Sequence, residues 1–231
     1  MSLIFKARFA DQRTKDIVFG FIKQSQNLFN KNSIYHNIPS LVHNLCLNYF
    51  WISEYFTLHG SDITLNKDKN IAKVNKENSN GTVYGNVDID INALVKYEWI
   101  FETSGFEEIC IGIDSSNKQY PDKDYTDPVI NKFNFYAYYN GGNKFFCGSD
   151  RTGTKYGDSW EDDQKYIIKM ILNVPNKTLE YYVDNESEGI AFDNIDFNDK
   201  EYNMAVYTNR SDKESVVQLL DFKMLSLIER K

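Results

Sequence analysis

The chain has 231 residues, of which 42% are hydrophobic and 15% aromatic, which excludes a disordered polymer and supplies a sizeable core. A net charge of −7, a pI near 5.1 and the lack of any Lys/Arg-rich block leave no basic face. Nucleic acid and anionic membrane are therefore not expected as partners.

Met1 to Ala10 carries Lys6 and Arg8 and lacks the pattern of a secretory signal, and no run of about 18 apolar residues occurs. The cysteines Cys46, Cys110 and Cys147 are odd in number and sit in apolar company. They read as small buried hydrophobes in a reducing compartment, so a cytoplasmic location is expected.

Residues 1–60 differ in period from the rest. Ile17, Val18, Phe21, Ile22, Leu28 and Phe29 recur at helical spacing. After an Asn-rich connector, Ile38-Pro39-Ser40 starts a second helix whose apolar face runs from Leu41 to Phe56. These two helices form the expected amino-terminal element, residues 1–60, which packs on the remainder or supports self-association. The linker, if there is one, is expected around Leu58–Asp62.

Beyond Gly60 the period changes to two. Strands are expected at Asp62–Leu65, Ile71–Val74, Thr82–Asn86, Leu94–Glu102, Glu108–Asp114 and Lys132–Tyr139. Further ones are expected at Lys144–Cys147, Lys165–Leu172, Thr178–Asp184, Gly189–Phe192, Tyr202–Thr208 and Val216–Met224. Turn signals separate them, such as Asn140-Gly141-Gly142 and Pro175-Asn176. Residues 61–231 therefore read as an antiparallel β-sandwich. The connection from Ser115 to Asn131 is too long for a simple turn and is a functional candidate.

Thr178-Leu179-Glu180-Tyr181-Tyr182-Val183-Asp184-Asn185 followed by Gly189-Ile190-Ala191-Phe192 resembles the signature of SPRY (B30.2-like) domains. Trp99–Phe101 with Ile111-Gly112-Ile113, the Tyr156-Gly157 turn and Tyr202-Asn203-Met204-Ala205-Val206 resemble flanking parts of that signature. The chain departs from it in three places. The glycines of the Gly-Asp-x-Ile-Gly-Val segment are absent from Asp163–Ile171, Met204 replaces a proline, and Glu186 stands where a turn glycine is usual. The resemblance implies a mainly β, concanavalin-like sandwich that binds a protein or peptide with loops at one end and has no catalytic residues. A carbohydrate-binding or glycan-cleaving domain of the same architecture is the alternative.

The candidate chemistry is sparse. Gly148 to Lys155 nearly spells a phosphate-binding loop, but Thr154 precedes Lys155 where Gly-Lys-Ser/Thr is needed. Acidic residues cluster at Asp122–Asp127, Glu161–Asp163 and Asp193–Asp199, in expected loops and not alternating along one strand as a glycosidase pair would. His36, His43 and His59 lie in the amino-terminal part without metal-ligand spacing, and the sandwich contains no histidine for acid–base work. No cofactor, metal or catalytic residue is expected.

The expected partner surface combines the loops Ser115–Asn131, Asn140–Gly142, Gly148–Trp160 and Asn209–Ser211. Its candidate residues are Tyr120, Tyr125, Tyr139, Arg151, Lys155, Tyr156, Trp160, Asn209 and Arg210, because aromatic rings and arginines dominate peptide-binding hot spots. Trp160 has an equally simple alternative, in which its ring caps the end of the core, and for the tyrosines that capping role is the preferred reading.

Overall fold

The computed structural model describes residues 54–226, apart from 75–80, 107, 116–117, 119–121, 123–133, 147–152, 162–163, 198–200 and 210–214. The two helices expected before residue 54 lie outside the described residues. Within them the chain is an antiparallel sandwich of two sheets.

The first sheet has the order β1 (Phe56–His59), β4 (Gly81–Ile89), β13 (Tyr202–Asn209), β6 (Glu108–Asp114), β7 (Phe135–Tyr139), β8 (Asn143–Phe146) and β9 (Thr154–Lys155). The second has the order β12 (Glu186–Phe192), β11 (Thr178–Val183), β10 (Lys165–Asn173), β5 (Val95–Ser104), β14 (Ser215–Ser226), β3 (Ile71–Val74) and β2 (Ile63–Leu65).

Two strands escape the sequence pattern. β9 is two exposed residues, too short to show a period. β1 lies where the helical stripe was expected to continue to Phe56, and across the expected linker. Phe56 instead pairs with Gly85 of β4, and His59 with Val83. A single apolar ring fits either period, and pairing with β4 decides it.

The core lies between the sheets. On β5 every second residue points inward, so Val95, Tyr97, Trp99 and Phe101 are buried while Lys96, Glu98, Ile100 and Glu102 lie on the other face. Trp99 stacks on Tyr97 with ring centroids 5.6 Å apart and meets Phe222 of β14 at the same separation. Ile168, Met170 and Leu172 of β10 and Leu179 and Tyr181 of β11 extend this layer. The Tyr181 hydroxyl crosses the core to donate to Ile111 O of the first sheet at 2.8 Å. Burying each large side chain of this layer contributes about 1.5–3 kcal/mol.

The middle of the first sheet is buried on both faces. Ile109, Ile111, Ile113, Tyr138 and Met204 face the core, while Tyr84, Cys110, Phe135, Ala137, Ala205 and Tyr207 form a second buried cluster. Strands buried on both sides read as continuous apolar runs, which is how Glu108–Asp114 and Tyr202–Thr208 look in sequence. Cys110 is a buried thiol, as its apolar company suggests.

The hairpin between β11 and β12 explains the missing turn glycine. Val183 pairs with Glu186, so the loop is two residues, Asp184 and Asn185, with φ of 48° and 70°. A two-residue turn with both central residues at positive φ is type I′, and Asp and Asn adopt that conformation more readily than other side chains. Among the described residues no helix is long and apolar enough to cross a membrane.

Candidate functional site

Strand direction sorts the connections between two ends of the sandwich. Asp114 pairs with Phe135 and Cys110 with Tyr139. Residues 115–134 therefore leave one end of the β6–β7 pair, while the Asn140–Gly142 turn closes the other. Phe146 pairs with Tyr136, so residues 147–153 start from the Asp114 end. Tyr156–Gln164 leads from β9 to Lys165, which pairs with Ser104 at the Asn140 end. Asn209, at the end of β13, pairs with Glu108 at this end too.

The loops Ser115–Asn131 and Asn140–Gly142 leave opposite ends of one strand, and the Asp122 carboxylate of the first accepts from Ser61 N at 2.6 Å, next to Gly60, whose amide donates to Thr82 O. Tyr120, Tyr125, Arg151 and Arg210 lie outside the described residues. Of these, Tyr120, Tyr125 and Arg151 belong to connections that leave the Asp114 end. The connection containing Arg210 begins at the Asn140 end, where Tyr139, Lys155, Tyr156, Trp160 and Asn209 lie. Periodicity locates strands but does not count how many times the chain reverses, and that count assigns a loop to an end.

At the Asn140 end the structure is tied together by a chain of contacts. The Asn140 side chain accepts from Ile109 N at 3.0 Å, and its carbonyl accepts from Trp160 N at 2.8 Å. Gly142 O accepts from Tyr156 N and Gly157 N at 2.9 and 3.2 Å, which fixes the Tyr-Gly turn against the β7–β8 turn. Tyr138, inward on β7, receives the rings of Tyr156 and Trp160 edge-on at 5.0 and 5.1 Å and donates its hydroxyl to Asp158 O. Tyr156 donates to Gly189 O on β12. Burial holds both the Tyr138 and Tyr156 hydroxyls well above the usual phenol range, so both are donors near neutral pH.

Tyr156 is therefore a half-buried strut, and Trp160, 7% exposed, is part of the core. Tyr139 packs edge-on against Phe145 at 5.5 Å, and Lys155 is exposed on β9. For Trp160 the capping alternative is what the structure shows. Its indole N–H lies beside the Tyr138 hydroxyl without meeting it in hydrogen-bonding geometry and has no other partner. Trp160→Phe removes that unpaired donor together with part of the ring. We expect it to cost about 1–2 kcal/mol in urea unfolding; a loss above about 4 kcal/mol would mean that the N–H is satisfied after all.

Beside Trp160 a shallow depression, open to solvent, lies at this end. Thr103, Phe106, Trp160, Glu161, Gln164 and Tyr166 line most of it. The Tyr166 ring lies 5.9 Å from Trp160, tilted by 33°, and its hydroxyl accepts from Glu161 N at 2.9 Å. The Glu161 carboxylate accepts from the Gln164 amide at 2.6 Å and is exposed. Sequence reasoning missed Phe106, Gln164 and Tyr166. Tyr166 reads as the second residue of a strand, and Phe106 as a lone ring after a Ser-Gly turn. Neither carries a signal that it borders a depression.

The second sheet places Glu98, Glu102 and Glu180 on its outer face, with Ile171 between Glu98 and Glu180 in register. Lys223 Nζ stands 3.5 Å from Glu98 and Lys165 Nζ 2.9 Å from Glu102. Glu98 and Glu102 are engaged in surface ion pairs, and Ile171 stands between Glu98 and Glu180.

No protein-family model matches the chain, and no curated protein matches it. Among solved structures it is similar to the PSpry domain of TRIM65, at 12% identity over 79% of this chain and 98% of that one, with a TM-score of 0.53. It is also similar to the SPRY domain of human HERC1, at 18% identity over 73% and 94%, with a TM-score of 0.48. The metal-free carbohydrate recognition domain of Emp46p matches at 13% identity over 77% and 88%, with a TM-score of 0.49. At such identities the likeness is one of fold, an antiparallel two-sheet sandwich.

Proposed function

We propose that this sandwich is a non-enzymatic protein-interaction module that binds a peptide or partner surface at the Asn140 end. What carries the reading is the position of the SPRY-like segments. The Thr-Leu-x-Tyr and Gly-x-Ala-Phe segments build β11 and β12, while the Tyr-Gly turn is pinned by Gly142 O beside the depression. A rigid floor of strands carrying a loop with exposed polar side chains is how binding sites are displayed on β-scaffolds.

Two charge-adding variants test this without touching the core. Gln164→Arg alters the rim of the depression, and Leu94→Arg alters an exposed side chain at the opposite end. In affinity capture from the source cell, proteins retained by the intact chain and by Leu94→Arg should be lost, at least tenfold, with Gln164→Arg. Equal capture by all three would place binding elsewhere, and retention on a glycan array in place of protein capture would favour the carbohydrate alternative.

A further inference from the structure

We infer that the depression at the Asn140 end takes an arginine side chain of an extended basic peptide, with Tyr166 and Trp160 as its aromatic wall and Glu161 as its counter-charge. The inference rests on the interaction-module reading and names the partner's chemistry.

Three observations point the same way. First, the wall is aromatic: Tyr166 and Trp160 lie at a 33° tilt, and Phe106 completes the apolar lining. A guanidinium is the side-chain group that both stacks on such rings and keeps hydrogen-bonding edges free. Second, the exposed polar group at the rim is an acceptor. Glu161 holds only a neutral amide, Gln164, so one carboxylate edge remains to receive a bidentate donor. Third, the surrounding charge is negative. Asp158 and Glu161 are exposed acids at this end, in a chain of net charge −7. A basic peptide is drawn to this end, and an acidic one is repelled.

A peptide brings further main-chain contacts beside the bound side chain, which free guanidinium lacks. Lysine lacks the planar fork and gains less from the ring wall.

The test is a random hexapeptide library displayed on phage and selected on the intact chain, followed by fluorescence polarisation of the selected peptides against the wild type and Glu161→Lys. Glu161 is exposed, so the variant keeps its fold, which an unchanged melting temperature verifies. Selected peptides should carry arginine at a fixed position, bind at least tenfold more weakly to Glu161→Lys, and lose affinity when that arginine becomes glutamine. Affinity should also fall as salt is raised. Selected peptides without a basic residue that are nevertheless lost with Gln164→Arg would overturn the arginine site and leave the module reading standing. Peptides indifferent to both variants, or no selected peptides at all, would overturn both.

Discussion

Replacing Gly112 by alanine should unfold a large fraction of the protein's stability, by about 3 kcal/mol or more, although it adds one methyl group. Gly112 lies at the centre of the first sheet, paired with Ala205 of β13 on one side and Ala137 of β7 on the other. A Cβ at this position would meet Tyr136 O at 2.0 Å and the Cα and Cβ of Ala137 at 2.7 Å. Two of those atoms belong to the backbone of the neighbouring strand, which its ladders to β6 and β8 hold in place, so no side-chain rotation relieves the contact. The strand must move, and with it the buried cluster of Phe135, Ala137 and Tyr207, none of which is exposed. For a domain of this size the loss corresponds to a fall in melting temperature of roughly 6–12 °C. Thermal unfolding followed by circular dichroism reads it directly. A variant melting within about 2 °C of the wild type would show that β6 and β7 separate at little cost and would sink the argument.

The same residue shows what the sequence makes legible. Ile111-Gly112-Ile113 stands out as a glycine between β-branched residues, and the resemblance gave it a place in a strand pair. Its physical reason, a neighbouring strand too close for any side chain, depends on register and cannot be read along the chain. The sandwich was accessible because strands buried on one face alternate and those buried on both are continuous. Two of the three departures also find their explanation in pairing. Met204, where the resembling pattern has proline, falls where the β13–β4 register slips between Asn203 and Ala205. A residue without an amide donor is tolerated at such an irregularity. The candidate site was less legible. Tyr139, Tyr156 and Trp160 were recognisable as aromatics near turns, but a ring that closes a core end and one that meets a partner look alike in sequence. Burial separates them, and it leaves the depression to Tyr166, Glu161 and Gln164.

Stability should also fall as pH rises from about 4.5 to about 7, by about 3 kcal/mol, because of Glu54. This residue precedes β1 and is 7% exposed. One carboxylate oxygen accepts from the Trp99 indole and the other from Val87 N, both at 3.0 Å. Gly85 leaves the room it needs, since a Cβ there would stand 2.2 Å from Oε1. All of these donors are neutral. Burial outweighs them and the more distant charge of Lys118, pushing the carboxyl from 4.5 up to about 7. Below about pH 4.5 both folded and unfolded chains hold the proton, and the full stability is present. Between the two values only the folded chain holds it, so each pH unit removes about 1.4 kcal/mol. Above about pH 7 both states are ionised and the loss levels off. Glu54→Gln abolishes the proton step. Its amide nitrogen faces one of the two donors, so the variant starts less stable, but its stability should change far less over this range. Urea unfolding of both proteins at several pH values between about 4.5 and 7.5 isolates the effect, because Glu188, whose carboxyl burial also raises, is present in both. Parallel curves for the two proteins would mean that Glu54 is solvated in the folded state and would remove the buried carboxylate from the account of how the chain joins its sandwich.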